Sequence, residues 1–97
     1  MKETIFYIML NTKTAGGVER IGKFYVGNDR RAADKIFRAL KGTEINDKAV
    51  LSLELMETVN GLPVNMKMLG CTLEELAENC RIITKEVFKL LNMNEII

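Results

Sequence analysis

The sequence has no histidine and no tryptophan, a single proline and two cysteines, and aromatic residues make up only 6% of it. Each shortage narrows what the chain can do. Without histidine, the commonest zinc ligand and the commonest general base are both missing, so no metal site is expected. Two cysteines cannot build a disulfide framework, and free thiols fit a reducing compartment, which points to the cytoplasm. The longest apolar run, residues 5–10, is six residues long, against about 20 for a membrane-spanning helix. Lys2 and Glu3 precede a short strand-like run, which reads as no signal peptide. The glycines form neither a Gly-x-x-x-x-Gly-Lys nor a Gly-x-Gly-x-x-Gly pattern, so they read as turn residues and no cofactor is expected.

What is present is material for one core. Of 97 residues 47% are hydrophobic, and 14 basic and 13 acidic residues leave a net charge of +1. That balance describes a folded single domain rather than a disordered chain.

The pattern divides into two hairpin–helix units, residues 1–42 and 43–97. In the first, residues 5–12 and 19–26 are strand-like around Ala15-Gly16-Gly17, and Asp29 caps a helix ending near Lys41, with Gly42 as its left-handed stop. In the second, residues 50–59 and 62–69 flank Asn60-Gly61, and Thr72 caps a helix running to about Asn92. Counted from the two caps, Ala33 coincides with Leu76, Phe37 with Cys80 and Leu40 with Ile83, whereas Ile36 falls against Asn79. Internal duplication and a merely shared helical period both account for these coincidences.

Asn-Gly between apolar runs specifies a two-residue type I′ turn. A regular ladder from that turn pairs Leu55 with Met66 and Leu53 with Met68 on a core face, and Glu54 with Lys67 outside. Pro63 lacks an amide hydrogen and suits an edge strand. In the first hairpin a Gly16-Gly17 turn pairs Tyr7 with Val26 and Met9 with Phe24, while Ile8, Leu10 and Tyr25 keep the opposite face apolar too. A strand apolar on both faces belongs in the middle of a sheet or beneath a partner. The second helix carries an apolar stripe at residues 73, 76, 80, 83, 87 and 90, with Thr72 and Glu75 as a capping box. The expected fold is therefore α+β: ββαββα, a four-stranded antiparallel sheet in the order β2-β1-β3-β4 with both helices on one face.

Three features are candidates for function. Tyr7, Met9, Phe24 and Val26, or their neighbours if the register slips, would leave an apolar patch on the uncovered sheet face, the mark of an interface. Residues 1–42 carry a net charge of +5 and residues 43–97 a net charge of −4. Arg31, Lys35 and Arg38 form a helical stripe with Arg30 and Lys41 nearby, suited to an acidic protein surface, to nucleic acid or phosphate, or simply to solvent. Cys71 stands before a helix cap, where amide donors can lower a thiol pKa, but no histidine is present to serve it as a base. Cys80 reads as core. Met9, Met56, Met66, Met68 and Met93 are gap-filling or adaptable surface residues, with Met66 and Met68 expected in the core. The leading expectation is a non-enzymatic interaction module that forms a homodimer through the first hairpin. Nucleic-acid or phosphate binding by the basic helix is the alternative, and a thiol enzyme at Cys71 the third.

Overall fold

Asn60 and Gly61 both adopt positive φ, 52° and 85°, the type I′ geometry that matches the twist of the strands it joins. A computed structural model describes residues 4–45 and 48–92; Met93 lies outside them. The elements run β1 (Thr4–Thr14), β2 (Gly17–Gly27), α1 (Arg30–Arg38), β3 (Leu51–Val59), β4 (Leu62–Cys71) and α2 (Leu73–Asn92). The sheet is antiparallel with order β2-β1-β3-β4, as expected. Exchanging the two hairpin–helix units maps this order onto itself read backwards. Pro63 does lie on an edge strand, β4.

The local register of both hairpins departs from the regular ladder. In the second, Val59 faces Leu62 and Met56 faces Asn65, but a bulge then shifts the pairing so that Leu55 meets Lys67, Glu54 meets Met68 and Leu53 meets Leu69. Because side chains alternate with period two, one extra residue exchanges the faces beyond it. The consequence is favourable burial: Leu69 and Cys71 join the core in place of Met68 and Gly70, while Met66 stays packed against it. The expected pairs of Glu54 with Lys67, Leu53 with Met68 and Leu55 with Met66 are thus replaced, and Met68 is exposed rather than core.

In the first hairpin the turn is Ala15-Gly16, one residue earlier than expected, with Thr14 opposite Gly17. The Thr14 hydroxyl donates to the Gly17 carbonyl at 2.9 Å. A register shift between Leu10 and Asn11 then sets Met9 against Lys23, Ile8 against Phe24 and Tyr7 against Tyr25, and a second shift, between Phe6 and Tyr7, sets Phe6 against Gly27.

One core lies between the sheet and both helices. It comprises Phe6, Ile8, Val26, Leu53, Leu55 and Cys71 from the strands, with Ala33, Ile36, Phe37 and Leu40 from α1 and its exit, and Leu76 and Ile83 from α2. Since both helices contribute to the same cluster, both cover the same face. Asp29 caps α1 by accepting from the Arg31 amide at 3.0 Å. α1 stops at Arg38, short of the expected Lys41, with i→i−3 bonds from Ala39 to Ile36 and from Leu40 to Phe37 tightening its last turn. The Lys41 backbone is held instead by Asn79, whose Oδ1 accepts from the Lys41 amide at 2.6 Å while its Nδ2 donates to the Lys41 carbonyl at 2.8 Å.

Gly42 is therefore not a helix stop. Its glycine is required by close approach: a Cβ there would lie 2.4 Å from the Gly70 carbonyl oxygen. The chain passes on to Thr43, which exchanges two backbone hydrogen bonds with Gly70 at the β4 edge. At α2 the capping box forms as expected, with Thr72 N–H donating to Glu75 Oε1 at 2.9 Å and Glu75 N–H to Thr72 Oγ1 at 3.1 Å. Leu73 is exposed, so the apolar stripe begins at Leu76. Among the described residues, no helix is long and apolar enough to cross a membrane.

Candidate functional site at the first hairpin

The two β1–β2 register shifts divide the expected interface set. Tyr7 and Met9 lie on the sheet face away from the helices, whereas Val26 is in the core and Phe24 packs against it. A flat patch made of all four does not exist. Tyr7 itself is only 6% exposed, and the Lys23 ammonium sits 4.3 Å from its ring centroid, a cation–π contact that leaves little of the ring to a partner.

The exposed apolar surface of this hairpin is displaced to its edge. β2 is the outermost strand, and among the described residues its outward side pairs with no other strand. Val18, Ile21 and Tyr25 are exposed along it. Beside it runs a shallow groove of about 390 Å³, walled by Phe24 and Tyr25 of β2 and by Ile83, Val87, Phe88 and Leu91 of α2. Tyr25, Phe88 and Leu91 are 56%, 64% and 68% exposed. No spacing argument placed α2 next to β2, because that adjacency is a product of tertiary packing.

The basic helix is partly neutralised at home. Arg30 pairs with Glu57 at 2.8 Å and Arg38 with Asp34 at 2.7 Å, and Asp34 also binds Lys67. The Lys67 hydrogen bond, reinforced by the Arg38 and Lys67 charges and opposed by partial burial, holds the Asp34 carboxyl below its ordinary range. Among the described residues Arg31, Lys35 and Lys41 enter no ion pair. Three scattered cations are a weaker phosphate footprint than the five residues suggested.

At Cys71 the surroundings run against a lowered thiol pKa. The side chain is buried, and loss of solvation, with lesser contributions from Glu75 and Cys80, pushes the thiol above its usual pKa. The helix end that would favour a thiolate is occupied, since the Glu75 carboxylate takes the Thr72 amide. This is the environment of an inert thiol rather than a nucleophile.

Sequence reasoning missed one polar constellation on the outer sheet face. Asn11, Glu54 and Asn65 form a row across β1, β3 and β4, with Asn11 buried beside the Glu54 carboxylate. The only signal for it was the glutamate on the face read as wetter. Comparison of the chain with protein-family models, with curated proteins and with solved structures finds no match in any of the three.

Proposed function

We propose that this chain is a non-enzymatic interaction module that self-associates as a homodimer through the outer edge of its first hairpin. The observation that carries the reading is the coincidence of an edge strand with an apolar groove: β2 offers backbone donors and acceptors, and Tyr25, Phe88 and Leu91 offer side-chain area next to it. An exposed strand edge is a template for pairing, and an antiparallel pairing of β2 with its copy is isologous, so the contact closes at two chains. The bulge near Ile21 interrupts the edge, which leaves residues 22–25, directly beside the groove, as the regular segment for pairing. Apolar area covered there contributes about 25 cal/mol per Å² before the costs of association. The two free thiols, Cys71 and Cys80, accord with a reducing, cytoplasmic setting.

The test is the melting temperature as a function of protein concentration, because a dimer gains stability by mass action. Wild type is expected to melt higher as concentration rises, and Tyr25→Glu and Leu91→Glu, both at exposed positions, to abolish that dependence while keeping the fold. A concentration-independent melt for wild type refutes self-association.

A further inference from the structure

A second copy of the chain can pair with the β2 edge in few ways, and backbone direction separates them. The Lys13 amide donates to the Val50 carbonyl at 2.8 Å, toward the β3 side of β1. Backbone groups alternate between the two sides of a strand, and the β1–β3 ladder runs without a shift. Ile8 and Leu10 therefore turn their N–H and C=O groups toward β2, where they face Phe24 and Gly22. Between the two β2 irregularities, Gly22 and Phe24 are committed to β1, whereas Lys23 and Tyr25 present their backbone groups outward.

An isologous antiparallel contact must set outward groups against outward groups. Within this segment the choices are Lys23 against Lys23, Tyr25 against Tyr25, or Lys23 against Tyr25. The first opposes like charges across the seam. The second leaves Lys23 to pair with Gly27, which lies beyond the second irregularity at φ 101°. The third uses every outward group of the segment, as two symmetry-related pairs that each exchange two hydrogen bonds. We propose that the chain dimerises in this third register, with the two-fold axis passing between the two copies of Phe24. The inference rests on self-association through the β2 edge and specifies how that edge is used.

The side chains agree with this choice. On the face away from the helices, each Lys23 stands opposite a Tyr25 ring of the other copy, an attractive pairing of cation and aromatic face. On the helix side, where Phe24 packs against the core, the two Phe24 rings meet as a cross-strand aromatic pair. A two-fold axis that relates adjacent antiparallel strands stands perpendicular to the sheet. Two four-stranded sheets thus become one of eight strands with all the helices on one face. The two grooves walled by Val87, Phe88 and Leu91 then flank the seam on that same face, so one contact covers both.

The experiment uses wild-type protein, half ¹³C-labelled and half unlabelled, mixed and examined by isotope-filtered nuclear Overhauser spectroscopy, with its mass measured by sedimentation under the same conditions. A dimer is expected, with an intermolecular contact between the α-protons of the two Phe24 residues, because that pair is the close, non-hydrogen-bonded one. Hydrogen exchange at the Lys23 and Tyr25 amides is expected to slow about tenfold when about nine-tenths of the chains are dimeric, in proportion to the free chain. A dimer whose α-proton contacts join Gly22 to Phe24, or Phe24 to Val26, overturns the register and leaves the edge reading standing. A dimer with no intermolecular contact in β2, or a single-chain mass, overturns both.

Discussion

The side chain of Asn79 closes a two-bond ring with the backbone of Lys41, accepting from its amide at 2.6 Å and donating to its carbonyl at 2.8 Å. Asn79 is fully buried, on the same side of α2 as Leu76 and Ile83, and it does for the exit of α1 what a neighbouring strand does for an edge: it satisfies both backbone groups. Asn79→Leu keeps the volume and strands the Lys41 amide and carbonyl. Chemical denaturation is expected to show a loss of about 2–4 kcal/mol, the cost of two part-buried polar groups left unpaired. A loss below about 0.5 kcal/mol would mean that water replaces the amide readily.

The bulge in β4 makes a quantitative distinction. With a regular ladder Glu54 would meet Lys67 as an exposed pair, and Glu54→Ala would cost under about 1 kcal/mol. With the observed register Glu54 holds the buried Asn11 amide, and the same substitution is expected to cost about 1–3 kcal/mol. Leu53→Ala, fully buried, is expected to cost about 2–5 kcal/mol. Parallel urea melts of the two variants check both values.

Much of the fold was legible because it rests on local chemistry. Asn60-Gly61, the Asp29 cap, and the Thr72–Glu75 box each act within a few residues, and all three form. The apolar content of residues 5–10 placed β1 in the middle of the sheet, which set the strand order. The bulges were not legible, because an inserted residue leaves no mark in a period-two pattern until the core chooses between Leu69 and Met68. That is why Phe24 and Val26 were assigned to the same face as Tyr7. Asn79 was visible only as a break in the resemblance between the two helices, since its partner is a backbone 38 residues away.

Two glycines respond to different demands. Gly61 needs positive φ with open space around it, so Gly61→Val is expected to cost above about 1 kcal/mol through backbone strain. At Gly42 the obstacle is the Gly70 carbonyl together with Leu69, so even Gly42→Ala forces the α1–β3 connection off the β4 edge. Hydrogen exchange at the Thr43 and Gly70 amides, which bond to each other's carbonyls, is expected to accelerate in Gly42→Ala and not in Gly61→Val.

Asp34 supplies a pH dependence of known sign. Its carboxyl is held below the ordinary value of 3.8, first by the Lys67 hydrogen bond. A depressed folded-state pKa contributes stability that is present above the unfolded value and lost as pH falls through the folded one. Wild type is therefore expected to exceed Asp34→Asn in stability at neutral pH, with the difference shrinking below about pH 4. Thermal melts of both proteins from neutral pH downward check this, and a difference that grows on acidification would contradict the Lys67 pairing.

Sedimentation equilibrium of the wild-type protein across micromolar concentrations tests the central claim most directly. The hairpin-edge account predicts a mass that rises with concentration toward twice the 11.0 kDa of the chain, and a Tyr25→Glu protein that stays at the single-chain mass. A wild-type mass of one chain throughout the range, indistinguishable from that of Tyr25→Glu, would contradict it.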